Sequence, residues 1–217
     1  DLFSATPARL KFMKSERAEN QATSEIVKRL AMAHPGIGFS LTTGERTGLR
    51  LAPGKVDDGN YGEALLARLG RIMGEAFMDD ALAIDGEREG VRLTGFAGLA
   101  TLHRPDTSLQ YLFVNGRPVR DRLLLGAVRG AYGDMMPKGR HPLLALFLEV
   151  SPREVDVNVH PAKTEVRFRD AGLVRSVIVG ALRDALMREG GRAATTGGDA
   201  TVAAFRPASV PRGGWDW

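Results

Sequence analysis

The chain has 217 residues, of which 43% are hydrophobic and 26% are charged, a composition typical of a globular protein with a sizeable core. It contains no cysteine, which excludes disulfides and thiolate metal sites and fits a reducing cytoplasm. No run approaches the roughly 18 apolar residues that a membrane-spanning helix needs. The formal charge of +4 is compatible with a polyanionic partner such as DNA, and equally with an ordinary solvated surface.

The first 60 residues predict one helix followed by two strands. Apolar side chains at helical spacing predict a helix over residues 20–33. Alternation over residues 37–41 predicts a strand, and a second short strand is predicted at residues 49–52. Residues 53–59 are rich in turn formers, so we place a domain boundary there.

The middle of the chain mixes helical and strand patterns. It predicts a helix at residues 65–73 and strands at residues 82–84 and 91–96, with a turn at Asp85-Gly86 between the strands. Residues 111–114 precede Asn115-Gly116, which indicates a strand ending in a tight turn, because this dipeptide tolerates the positive φ that such turns need. Residues 143–150 are almost continuously apolar, as expected for a strand that is covered on both faces.

The end of the chain changes character. An unbroken apolar stripe predicts a last helix over residues 173–186. Residues 189–217 are rich in Gly, Ala, Thr, Pro and Arg, and this composition predicts a flexible linker. The chain begins at Asp1 with no targeting signal, and we therefore expect an internal part of a longer protein.

Three stretches of mixed chemistry carry a family resemblance. The first 12 residues read DLFSATPARLKF, residues 111–117 read YLFVNGR, and residues 155–168 read VDVNVHPAKTEVRF. Together they resemble the MutL family of DNA mismatch repair ATPases, and their mutual spacing matches that family over about residues 1–188. The third stretch is the most specific of the three.

The resemblance implies an α+β fold with a split architecture. Residues 1–60 would form the end of a GHKL-type ATPase sandwich. Residues 61–188 would form the transducer domain, an α/β domain of the ribosomal-protein-like (domain 2-like) type that reaches back over the nucleotide. Residues 189–217 would be the flexible linker.

Two residues are candidates for the nucleotide site. Thr6 and Pro7 form a good helix start, with a threonine cap and free backbone N–H groups behind it that attract phosphate. The similar family motif lines the nucleotide pocket, which favours a nucleotide-binding role for Thr6. The resemblance also implies that Lys163 contacts the terminal phosphate of ATP, where an ammonium can offset charge that develops during phosphoryl transfer. Lys163 is therefore the candidate catalytic residue.

A group of arginines is the candidate DNA-binding site. Arg117, Arg120, Arg122 and Arg129 follow the Asn-Gly turn and would form a basic cluster near Lys138 and Arg140. The resemblance favours Arg122 in particular, because family members are thought to bind DNA with an arginine at this place in the motif. No aromatic ladder accompanies the arginines, so we expect contacts to phosphates with little sequence preference.

The resemblance also implies cofactors and partners. The cofactor would be ATP with Mg²⁺, although the general base, the Mg²⁺ ligand and most of the nucleotide pocket of the family precede the Thr-Pro motif. The full-length protein would be a weak ATPase and a homodimer in the cytoplasm, associated with the nucleoid. Its partners would be DNA, a mismatch recognition protein and a downstream repair nuclease or helicase, with no membrane and no protein-held metal site in this chain.

Two alternatives remain open at this point. The missing pocket and the arginine cluster are also compatible with a non-catalytic module that binds DNA or another protein. Another GHKL ATPase, such as a type II topoisomerase subunit, would share the second-domain fold.

Overall fold

The computed structural model describes residues 8, 13–44, 46–57, 59–159 and 163–204. It begins with helix α1, Glu16–Ala33, followed by an antiparallel pair of strands, β1 (Phe39–Thr43) and β2 (Arg46–Leu51). The predicted helix and both predicted strands are confirmed. The helix starts earlier than predicted, with Ser15 at its N-cap position and two glutamates in its first turn, where the helix dipole favours negative charge.

A five-stranded sheet forms the centre of the rest of the chain. Its strands are β3 (Ala81–Arg88), β4 (Val91–Gly98), β6 (Gln110–Val114), β7 (Arg117–Val119) and β9 (Leu144–Glu149), in the spatial order β3-β4-β9-β6-β7. Only β6 and β9 pair in parallel among these neighbours. Two short ladders flank the sheet: β5 (His103–Arg104) with β8 (His141–Pro142), and β10 (Val155–Asp156) with β11 (Arg167–Phe168).

Helices cover both faces of this sheet. The helices are α2 (Tyr61–Met73), α3 (Glu75–Asp79), α4 (Arg122–Tyr132) and α5 (Ala171–Ala204). Leu112 and Val114 point into the core against α4 and α5, whereas Tyr111 and Phe113 point into the core with α2 and α3. The side chains of strand β9 point alternately into these two parts of the core. The predicted strand with two covered faces is therefore confirmed.

The predicted turn at Asp85-Gly86 is wrong. Strand β3 continues through both residues, with Gly86 paired to Leu93, and the chain turns at Glu89-Gly90, where φ is 51° and 76°. Gly86 serves close packing instead of a turn, because a Cβ at this position would lie 2.8 Å from the Cβ of Ala181 on α5. A glycine that makes room for a neighbouring helix has the same local signature as a turn glycine.

The buried Arg68 of α2 connects that helix to the first part of the chain. Its guanidinium donates hydrogen bonds to the carbonyl oxygens of Ala31, Pro35, Ile37 and Ala52, at 2.7 to 3.2 Å. The two sides of the predicted boundary therefore pack together. The domain limits 1–60, 61–188 and 189–217 stay a prediction, and α5 continues as a helix to Ala204.

Among the residues that the structure describes, no helix is both long and apolar enough to cross a membrane.

Candidate functional site

An open cleft of about 890 Å³ lies between α1, the β6–β7 hairpin and the segment at residues 163–164. We call it the basic cleft. Its charged and polar lining comes from three separate parts of the chain: Glu25, Arg29, Arg117, Arg120, Lys163 and Thr164. The structure therefore brings the candidate catalytic residue together with two of the candidate DNA-binding arginines.

Lys163 reaches the cleft from a left-handed backbone conformation, with φ of 52°. The neighbouring Thr164 is held in place by its carbonyl oxygen, which accepts a 2.7 Å hydrogen bond from the backbone N–H of Arg120. The Lys163 side chain is exposed and has no ion pair with any residue in the described ranges. Within those ranges, no carboxylate therefore competes with an anionic ligand for its ammonium.

The β6–β7 hairpin positions Arg117. Asn115 and Gly116 have φ values of 48° and 76°, so the predicted tight turn is confirmed. The Asn115 side chain donates to the carbonyl oxygen of Val150 at 2.9 Å and accepts from its N–H at 3.0 Å. This two-way contact fixes the hairpin against the end of β9, and the exposed Arg117 follows directly.

The α1 wall of the cleft contains residues that the sequence did not single out. The guanidinium of Arg29 lies 5.3 Å from the centroid of the Tyr111 ring, whose hydroxyl donates to Glu25 Oε2 at 3.4 Å. Burial, followed by the nearby positive charge of Arg120, lowers the pKa of Arg29. In the sequence, Arg29 and Glu25 occupy polar positions of an amphipathic helix, and such positions look the same whether they face solvent or a site.

The cleft has an excess of positive charge. Among the described residues, four cationic side chains line it, against the single carboxylate of Glu25. Lys28 already pairs with that carboxylate at 2.9 Å. Arginine and lysine side chains in this arrangement suit phosphate oxygens. A magnesium ion would need other ligands, since no group of three or more His, Asp or Glu side chains in the described ranges could hold a metal.

The remaining candidates lie elsewhere. Arg122 is exposed at the first turn of α4, where the Asp121 side chain caps the helix by accepting from the N–H groups of Leu123 and Leu124. Arg129 lies two turns further along α4 and lines a different cavity, together with Lys138 and Arg140. The expected arginine cluster is therefore divided: Arg117 and Arg120 line the basic cleft, whereas Arg129 lines the other cavity. Thr6 and residues 160–162 lie outside the described residues.

Comparison with known families decides the classification. The family model described as "DNA mismatch repair protein, C-terminal domain" matches residues 69–187, more than half of the chain. The chain belongs to the MutL family of DNA mismatch repair proteins. The MutL protein of Phenylobacterium zucineum (strain HLK1) is 61% identical over 212 residues, which are 97% of this chain and 33% of that protein. MutL of Rhodopseudomonas palustris (strain BisB5) is 54% identical over 223 residues, 100% of this chain and 36% of that protein.

The chain thus spans about a third of the length of the curated MutL relatives that it matches. Among solved structures, the N-terminal domain of a DNA repair protein aligns with a TM-score of 0.66 at 19% identity, covering 86% of this chain and 59% of that one. The ATPase domain of Aquifex aeolicus MutL aligns with a TM-score of 0.52 at 25% identity, covering 82% and 59%. The predicted α+β fold of the GHKL ATPase and transducer type is confirmed.

Proposed function

We propose that this chain is part of an ATP-driven DNA mismatch repair protein in which Lys163 contacts the terminal phosphate of the nucleotide. The observation that supports this most is the position of Lys163, which is exposed, unpaired among the described residues and placed in a cleft lined by three arginines. The ATPase domain of Aquifex aeolicus MutL, whose structure was determined as a complex with ADP, has the same fold with a TM-score of 0.52.

The chemistry required of Lys163 is electrostatic. Negative charge spreads over the phosphate oxygens during phosphoryl transfer, and a fixed ammonium offsets it without moving a proton. Thr6 and the backbone N–H groups that follow it would bind nucleotide phosphate, with Mg²⁺ held mainly by residues outside this chain. ATP binding would close and dimerise the N-terminal halves of the protein, and hydrolysis would reset them.

The test is ATP turnover in a protein with the full length of the curated relatives. Lys163→Ala should lower turnover by about 100- to 1,000-fold, the range expected when one donor to developing charge is removed. Arg153→Ala is the matched control, because Arg153 is an exposed cation outside the cleft. Unchanged turnover in Lys163→Ala would refute the role of this lysine.

We also propose that Arg117, Arg120 and Arg122 contact the DNA backbone. All three are exposed, and they lie within six residues of one another in the sequence, on the hairpin, just after it and at the start of α4. Each phosphate contact that is lost should reduce the dependence of log K on log salt by about 0.9. Titration of duplex DNA at several salt concentrations should therefore give a shallower slope for Arg117→Ala/Arg120→Ala and the parental slope for Arg153→Ala. A parental slope in the double variant would contradict the proposal.

Family membership supports a proposal for the wider role of the protein. In the cell the protein would recruit a repair nuclease or helicase after a mismatch recognition protein has bound, acting as a homodimer in the cytoplasm. Arg129 lines a different cavity from Arg117 and Arg120, and the geometry supports a different ligand for it.

A further inference from the structure

A second cavity lies at the C-terminal end of α4, away from the basic cleft. Its volume is about 450 Å³, and volumes of this size are typical of small-molecule sites. We call it the α4 cavity. Its lining combines cationic side chains, at Arg129, Lys138 and Arg140, with apolar ones, at Leu125 and Met136.

Hydrogen bonds hold the walls of the α4 cavity in place. The Tyr132 hydroxyl donates to the carbonyl oxygen of Gly98 at 2.6 Å, and the buried Gln110 amide donates to that of Pro142 at 3.2 Å. The backbone N–H of Arg140 donates to Pro137 at 3.2 Å and closes a turn in which Gly139 has φ of 73°. Because these hydrogen bonds already fix the backbone around the cavity, ligand binding there carries little cost for ordering the backbone.

The charge of the α4 cavity is unbalanced. Arg129, Lys138 and Arg140 line it with three permanent cations, whereas Asp134 is the only carboxylate that the described residues contribute to its lining. None of these four side chains takes part in an ion pair within the part of the chain that the structure describes. The excess of two positive charges matches a phosphate monoester, which carries between −1.5 and −2 near neutral pH, roughly as phosphorylated side chains do.

The apolar wall narrows the class of ligand. Leu125 and Met136 are half-buried and line the cavity beside the cations. The backbone of duplex DNA offers single negative charges and no apolar group for such a wall. A small molecule that joins a phosphate to an aromatic or aliphatic group would contact both kinds of lining at once.

We propose that the α4 cavity binds a small organic phosphate monoester. Its phosphate is held by Arg129, Lys138 and Arg140, and its apolar group packs against Leu125 and Met136. The cavity shares no lining residue with the basic cleft, so this binding is independent of the proposed ATP and DNA contacts.

The test is calorimetric titration of the full-length protein with phenyl phosphate, inorganic phosphate and phenol. Phenyl phosphate should bind at least about tenfold more tightly than inorganic phosphate, because only phenyl phosphate also buries an apolar group, and phenol should not bind. Equal affinity for phenyl phosphate and inorganic phosphate would overturn the proposal, as would the absence of binding at millimolar concentration.

Variants locate the site. Lys138→Ala/Arg140→Ala should weaken phenyl phosphate binding by about tenfold or more, since two charge-assisted hydrogen bonds are lost. Both residues are exposed in a turn, so these truncations leave the core intact. Arg153→Ala and Lys163→Ala should bind as the parent does, and Asp134→Asn should bind several-fold more tightly. Loss of binding in Lys163→Ala, or parental affinity in both the double variant and Asp134→Asn, would place the ligand elsewhere and refute the proposal.

Discussion

The Arg29 guanidinium lies over the ring of Tyr111, 5.3 Å from its centroid, and so connects α1 to strand β6 of the sheet. The Tyr111 ring is buried, and its hydroxyl faces the carboxylate of Glu25 at 3.4 Å. Burial, followed by the negative charge of Glu25, raises the pKa of Tyr111 to about 12, although Arg29 opposes part of this shift.

This raised pKa predicts a loss of stability at alkaline pH. A tyrosine in the unfolded chain loses its proton near pH 10, whereas Tyr111 in the folded protein keeps its proton to about pH 12. The stabilisation is therefore complete below pH 10 and is lost as pH rises towards 12. Urea midpoints measured between pH 8 and about pH 11 should fall less steeply for Tyr111→Phe than for the parent.

Some slope should remain in Tyr111→Phe, because burial also raises the pKa of Tyr132. Identical slopes in the variant and the parent would contradict the linkage to Tyr111.

Arg68 lies outside the basic cleft, but we expect its substitution to lower the stability of the fold strongly. Its guanidinium satisfies four backbone carbonyl groups while only 4% of the residue is exposed. Arg68→Ala should lower the free energy of unfolding by at least about 3 kcal/mol, since the buried carbonyl groups lose their partner. Arg71→Ala, on an exposed position of the same helix, should cost less than about 1 kcal/mol. Similar costs for the two variants in chemical denaturation would refute the role given to Arg68.

Asn115 combines a backbone role with a side-chain role, and two substitutions separate them. Asn115→Gly keeps the left-handed turn but loses both hydrogen bonds to Val150, which should cost about 1–3 kcal/mol. Asn115→Ala loses the same bonds and adds left-handed strain, so it should cost about 1 kcal/mol more. Equal stability of the two variants in urea denaturation would mean that the turn does not require positive φ at this position.

Gly86 and Gly126 should respond in opposite directions to alanine. A Cβ on Gly86 meets the Cβ of Ala181 at 2.8 Å, so Gly86→Ala should separate β3 from α5 and cost about 1–3 kcal/mol. Gly126 is exposed within α4, and a Cβ there has no neighbour within 4 Å. Gly126→Ala should therefore raise stability by about 0.5–1 kcal/mol. Thermal unfolding of both variants and the parent shows whether each substitution raises or lowers stability. A destabilised Gly126→Ala variant would contradict the expectation for Gly126.

Most residues of the candidate site could be predicted from the sequence. Which of them lie in the same cleft could not. Lys163, Arg117 and Arg120 were recognisable from their motifs, and the structure places them in one cleft. Arg29 carried no signal, because a polar residue on a helix looks the same whichever neighbour it meets. Arg129 lines the α4 cavity whereas Arg122 lines neither cavity, a difference that the spacing of the arginines does not reveal.

The amino-acid sequence by itself determined the family, the helix and strand types and the Asn-Gly turn, because periodicity and turn chemistry are local properties of a few residues. Tertiary structure alone decided that Gly86 makes room for α5 and that Arg68 serves four carbonyl groups. The fold also placed Arg29 and Lys163 in the lining of the same cleft. Each of these outcomes depends on a partner far away in the chain, and such a partner is chosen by packing and burial rather than by local preference.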